Sequence, residues 1–198
     1  MIIDKLMKSR NDEFFTPRYA IVPILKYVRK GTTIWCPFDD EHSHFVKMLE
    51  EYGCKVIKTH INSGQDFFKT TPPKCDYIIS NPPYSLKTDI IERLFKIGIP
   101  FAMLVSSAGL FESKKRFKML NNNRFEIMYL SRRVWYFLDF NKEEILNNPP
   151  FLSVYLCYKM LPKQIVFEDV YKYNKKIKKI SFKQKCLLFF SQKSFLFR

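Results

Sequence analysis

The chain has 198 residues, 46% hydrophobic and 17% aromatic, which suits one domain with a buried core and excludes a disordered chain. Its formal net charge is +15, from 34 Lys and Arg against 19 Asp and Glu, so the favoured partner is a polyanion. No apolar run approaches the ~20 residues of a membrane span, no signal-peptide core opens the chain, and five scattered cysteines without Cys-x-x-Cys spacing indicate neither a disulfide framework nor a metal site. A reducing cytoplasm is the expected compartment.

In chain order, residues 17–29 read as an amphipathic helix. Thr16 is a good N-cap and Pro17 a good first residue, Ile21, Ile24, Leu25 and Val28 make an apolar stripe, and Pro23 should kink it. Residues 32–38 are the first strand. A helix over 41–52 follows, with Asp39 or Asp40 as its cap and Gly53 as its stop. Strand 55–61 ends near Thr59 and His60, and a glycine turn at Ser63-Gly64 leads into Asp66, Phe67 and Phe68. His42 and His44, two apart, fall on different helical faces and do not suggest a metal pair.

The run Tyr77-Ile78-Ile79 is a short buried strand, stopped by Asn81-Pro82-Pro83-Tyr84, because proline cannot donate to a sheet ladder. A helix over 87–97, bounded by Gly98 and Pro100, leads to a strand over 101–105. This β-α-β-α-β rhythm predicts a mostly parallel, doubly wound sheet with flanking helices. Ligands of such sheets bind at the carboxyl ends of the strands. An amide and an aromatic ring held there suit a planar base with an exocyclic amine. Asn81 Oδ1 can accept one N–H and a carbonyl of the Pro82-Pro83 turn another, drawing the amine towards tetrahedral geometry and localising its lone pair. Tyr84 can stack on the base, worth ~1–3 kcal/mol.

Beyond the central motif, Lys114, Lys115, Arg116 and Lys118 interleave with Phe111, Phe117 and Met119, and Arg132 and Arg133 stand beside Trp135 and Tyr136. Residues 106–136 therefore form a candidate phosphate-gripping insertion, with solvated helix faces as the plain alternative. These aromatics are also candidates for bracing a gap left by a flipped base. Asn148-Pro149-Pro150-Phe151 copies the motif but precedes a strand over 153–158, and so is expected to form a loop on the pocket rim. Residues 164–170 read as an edge strand, and a lysine-rich tail begins at Tyr171.

Asn81-Pro82-Pro83-Tyr84 at a strand end resembles the catalytic motif of the amino-methyltransferases that use S-adenosylmethionine, above all the adenine-N6 DNA methyltransferases in a small phage-type form. The same tetrapeptide occurs in enzymes that methylate guanine N2 in RNA or a protein glutamine. The resemblance covers about residues 11–160 and implies a Rossmann-like class I methyltransferase fold. It implies a catalytic domain over 1–160, with 161–198 as a basic extension of it, and duplex DNA as the partner. In that family an aromatic-Thr-Pro element closes over the methionine end of the cofactor, and Phe15 and Thr16 carry this over. Pro37, Phe38 and Asp39 stand at the cofactor corner, and Asp66 and Phe67 take the place of the acid and aromatic that meet the cofactor adenine. Asn81, Pro82, Pro83 and Tyr84 take the catalytic place. Asp39 has two readings, as partner of the cofactor's cationic amine or as a helix cap. The chain departs from the family at two points: no Gly-x-Gly turn follows the first strand, and Thr59 and His60 stand where an acid usually holds the ribose. Two rivals follow from these facts: the same fold acting on RNA adenine or another amine, and a nucleic-acid-binding protein whose cofactor site has decayed.

Overall fold

The structure is a computed structural model that describes residues 15–139, 144–145 and 151–170. In chain order the described residues make α1 (Arg18–Leu25), β1 (Thr33–Cys36), α2 (His44–Tyr52), β2 (Lys55–Lys58), β3 (Tyr77–Ser80), α3 (Lys87–Ile97), β4 (Phe101–Ser106), α4 (Lys114–Asn121), β5 (Glu126–Leu130), β6 (Phe137–Asp139), β7 (Glu144–Ile145), β8 (Ser153–Tyr158) and β9 (Ile165–Glu168). Seven strands form one sheet in the order β2-β1-β3-β4-β8-β5-β9, and β6 and β7 form a separate antiparallel pair. All neighbours in the large sheet are parallel except β8, which is antiparallel to both β4 and β5.

Alternation along the strands explains the layers. Ile34, Cys36, Ile79, Ala102 and Leu104 join one apolar cluster with Ile21 and Leu25 of α1 and Phe45 and Leu49 of α2. Trp35, Ile78, Phe101, Met103 and Val105 join another with Ile90, Ile91 and Leu94 of α3 and Leu120 of α4. Successive side chains of a strand point to opposite faces, so the two clusters lie on the two sides of the sheet, each roofed by helices. This is the Rossmann-like, doubly wound α/β architecture that the strand-helix rhythm predicts. The sheet order reverses direction at β1, with β2 on one side and β3 on the other, which makes the gap between β1 and β3 a topological switch point.

Several boundaries differ from expectation. The first helix ends at Leu25, not at Arg29, and Pro17 occupies its N-cap without a side-chain bond, so Thr16 does not cap it. Ser43, not Asp39 or Asp40, caps α2: its hydroxyl accepts from Phe45 N–H at 3.1 Å. The chain turns once more before the helix begins, because Asp40 Oδ1 accepts from the amides of His42 and Ser43. Gly53 ends α2 as expected, in the left-handed conformation at φ 101°. β1 stops at Cys36, since Pro37 has no N–H to extend the ladder. β5 is a strand that the sequence reading did not anticipate. Its apolar core opens with an acid behind a basic stretch, and only its place between β8 and β9 makes it a buried strand. The edge strand expected over 164–170 is β9. Asn148, Pro149, Pro150 and the tail from Tyr171 lie outside the described residues. No helix among the described residues is long and apolar enough to cross a membrane.

Candidate active site at the carboxyl ends of β1 and β3

Asn81 follows β3 directly, at the carboxyl side of the switch point. Its residue is half-buried and its amide oxygen is buried. Pro83 holds φ −59° and ψ 131°, and a single 3-10 turn, Tyr84–Leu86, then feeds α3. The two prolines end the ladder and stiffen the turn that separates the Asn81 amide from the Tyr84 ring by three residues.

The most connected group in this corner is Asp39, 8% exposed. Its Oδ1 accepts from the hydroxyl of Ser43 and its Oδ2 from the hydroxyl of Ser80, the residue before Asn81. Burial pushes its carboxyl up to about 6, against the two hydroxyl donors and the neighbouring His60, which favour the ionised form.

From Asp39 the contacts run on through Ser43 to its neighbour His44, whose Nδ1 lies 2.9 Å from the carbonyl of Thr16. Burial holds the His44 imidazole below its ordinary range. Thr16 is 6% exposed, and its Oγ1 is buried with no hydrogen-bond partner among the described residues. Phe15 exchanges two backbone hydrogen bonds with Phe137 of β6, at 3.1 and 3.0 Å, which straps the segment before α1 over this corner. Tyr136, next in the chain to Phe137, meets the Tyr84 ring edge-on at 6.5 Å, and Phe151 meets it at 5.2 Å. Phe15, Thr16, Asp39, Asn81 and Tyr84, scattered over the sequence, are thus linked through these intermediates and their chain neighbours.

Phe67 lies on the other face of the sheet, against the end of β1. It is 4% exposed and packs against Phe38 at 4.9 Å and Trp35 at 5.6 Å, with the Arg93 guanidinium over its ring at 5.4 Å. Asp66 folds its Oδ1 back onto the amide of Phe68 at 2.9 Å, and Lys69 Nζ lies 3.8 Å from its other oxygen. Thr59 is buried, and its hydroxyl accepts from Trp35 Nε1 at 2.9 Å. His60 Nδ1 accepts from the amide of Asn62. Among the described residues no cluster of three His, Cys, Asp or Glu suits a metal ion.

The basic residues divide. Arg116, a candidate phosphate contact, turns to the protein: its guanidinium donates to the carbonyls of Gly109 and Leu110 and to Thr88 Oγ1, fastening the loop after β4 to the head of α3. Lys115 pairs with Asp89 and Glu92 of α3, at 3.1 and 2.7 Å. Lys114, Lys118, Arg132 and Arg133 are exposed. Tyr136 is fully buried and braces Tyr84 instead of facing a duplex; burial pushes its hydroxyl up to about 12.

Three residues that the sequence reading passed over matter here. Ser80 and Ser43 hold Asp39; their only sequence signal is position, one before the motif amide and one before a helix. Lys87, three residues after Tyr84, is 7% exposed, with Nζ donating to the carbonyls of Ser106 at 3.3 Å and Ala108 at 3.0 Å. A lysine at the head of a helix ordinarily reads as solvated.

No protein-family model and no curated protein sequence matches the chain. Among solved structures, the chain is similar to one named as a modification subunit assigned to a type I restriction enzyme from Vibrio vulnificus, with a TM-score of 0.53 and 12% identity. The likeness covers 96% of this chain and 56% of the other, so this chain spans little more than half of that neighbour's length. It shows a shared fold.

Proposed function

We propose that this chain transfers a methyl group from S-adenosylmethionine to the N6 amine of adenine in DNA. The observation that carries the reading is the placement of Asn81. Its amide stands at the carboxyl end of β3, on the switch point, at the head of a two-proline turn with Tyr84 three residues on. The neighbour's name, a modification subunit of a restriction enzyme, agrees with DNA as the substrate.

The residues present fit the cofactor unevenly. Thr16 offers a buried hydroxyl without a partner among the described residues, suited to the methionine end, and Phe38 and Phe67 offer apolar rings for the adenine, with Asp66 beside them. S-adenosylmethionine supplies the electrophilic methyl when bound. The chain's own part is positioning and polarisation. Asn81 Oδ1 accepts one N–H of the target amine and a carbonyl of the Pro82-Pro83 turn accepts the other. Tyr84 is 4% exposed, so a flipped base reaches its face only when Phe151 or Tyr136 gives way. The exposed Lys114, Lys118, Arg132 and Arg133 are the candidates for phosphate contacts.

The test is incubation with tritiated S-adenosylmethionine and duplex DNA, single-stranded DNA or RNA, followed by nucleoside digestion. Label in N6-methyladenine from DNA sustains the reading, and label from RNA alone moves the substrate. Asn81→Ala is expected to remove transfer while leaving nucleic-acid binding intact; full transfer by that variant sinks the mechanism. A second reading, a nucleic-acid-binding protein without methyl transfer, draws on one observation. The Thr59 hydroxyl, at the place of the ribose-holding acid, is engaged by Trp35. Calorimetry with S-adenosylmethionine separates the two, since that reading requires no cofactor binding.

A further inference from the structure

Within that reading, we infer that Asp39 is a positioning residue: its carboxylate is a strut that joins the end of β1 to the strand end carrying Asn81, and it is not the partner of the cofactor's amine. The argument begins with the ladder. β1 and β3 are in register at Ile34 with Tyr77 and at Trp35 with Ile78, and their pairing goes no further. On its other side β1 stays paired with β2 to Cys36 and Lys58, and Thr59 N–H reaches Cys36 O at 3.1 Å. Pro37 has no N–H to offer, so the two strands part before Ser80. That parting opens the crevice at the switch point, and it leaves the end of β3 without backbone support from β1.

The Asp39 side chain spans this gap. Oδ2 takes the hydroxyl of Ser80, which is fully buried, and Oδ1 takes the hydroxyl of Ser43, the cap of α2. One carboxylate therefore joins three elements, and both oxygens are in use. A cationic amine arriving at this 8% exposed group would find each oxygen already accepting a hydroxyl, and the Ser80 hydroxyl, fully buried, has no water to turn to if its bond is lost. Burial holds the carboxyl at about 6, with Ser43 of α2 and Ser80 of β3 as its donors, His60 beyond β2 favouring the ionised form and Asp40 opposing it. Ionised, it accepts from both hydroxyls; protonated, its own O–H replaces an acceptor, so one of the two hydroxyl bonds must reverse and the Ser80 contact rearranges.

The experiment compares Asp39→Asn, Asp39→Ala and Ser80→Ala with the unmodified chain, measuring S-adenosylmethionine affinity by calorimetry and kcat and KM for label transfer across pH 5 to 8. An asparagine keeps two polar atoms for the two hydroxyls but carries no charge. On the strut reading, Asp39→Asn binds the cofactor within about twofold and keeps most of kcat, while losing the acid limb of the pH profile. Ser80→Ala, with the charge intact, lowers kcat about tenfold or more at little cost in cofactor affinity, and Asp39→Ala does the same. The inference is overturned if Asp39→Asn weakens cofactor binding about tenfold while Ser80→Ala leaves kcat unchanged, the pattern of a charge partner. Should Asp39→Ala fail to fold, the contrast between the other two variants carries the test. If the unmodified chain neither binds the cofactor nor transfers label, the methyl-transfer reading fails by itself. The strut is then judged by amide hydrogen exchange over residues 84–88: faster exchange in Ser80→Ala sustains it, and unchanged exchange overturns it.

Discussion

Two buried ionisable side chains flank the motif, and each carries a stability signature of its own sign. Asp39 is held at about 6, above its ordinary 3.8. Between those values the native state binds a proton that the unfolded chain has lost, so the Asp39 contribution to stability is full below pH 4 and falls as pH rises through 6. Asp39→Asn is expected to remove that slope, a difference on the order of 3 kcal/mol across the window, read by urea denaturation at stepped pH. Lys87 is pushed the other way, to about 8, by burial first and by the charge of Arg116 second. Between 8 and 10.5 the unfolded chain keeps a proton that the native state has released, so stability rises with pH there. Lys87→Met is expected to flatten that rise, on the order of 3 kcal/mol. The same variant leaves the carbonyls of Ser106 and Ala108 without their donor and loosens the loop beside the motif.

At the scale of elements, two devices bring the site together. One is the strap, where Phe15 and Phe137 pair through their backbones and place Thr16 against His44. The other is the clasp of Arg116, which joins the loop after β4 to α3 just behind the Tyr84 turn. Arg116→Ala is expected to cost about 1–3 kcal/mol in a denaturation experiment, because it leaves half-buried carbonyls unpaired. Arg116→Lys is expected to recover little of it, since one ammonium cannot reproduce the fork. On the far side of the sheet from α1, Phe67→Ala is expected to cost about 3–5 kcal/mol by opening a cavity under Trp35 and Phe38. A loss below 1 kcal/mol would mean that the site collapses without strain.

For the whole molecule, the net charge of +15 makes binding to a polyanion salt-dependent whatever the chemistry. The exposed cations and the loop-fastening Arg116 predict different outcomes. Lys114→Ala, Lys118→Ala, Arg132→Ala and Arg133→Ala are each expected to weaken DNA binding alike across sequences and to lower the slope of log affinity against log salt by about 1 where the side chain meets a phosphate. Arg116→Ala is expected to leave the slope unchanged, because that guanidinium already serves the loop. Fluorescence anisotropy with a short duplex across a salt series checks both.

The sequence by itself determined the order of strands and helices as far as β4 and the adjacency of Asn81, Pro82, Pro83 and Tyr84. Those features rest on local chemistry: Pro37 and Pro82 end ladders, Gly53 and Gly98 stop helices in the left-handed conformation, and β-branched runs fill buried strands. Only the tertiary structure decided who holds whom. Asp39 meets Ser80 across 41 residues and His44 meets Thr16 across 28, while Tyr84 ends beneath Tyr136 and Phe151. Ser43 took the cap expected of an aspartate, Arg116 turned inward, and β5 became a strand because two others lay ready to flank it. A backbone preference is a property of a few neighbouring residues. The partner of a buried polar group is whichever complementary atom the fold brings within about 3 Å, and nothing in the spacing of the chain records that distance.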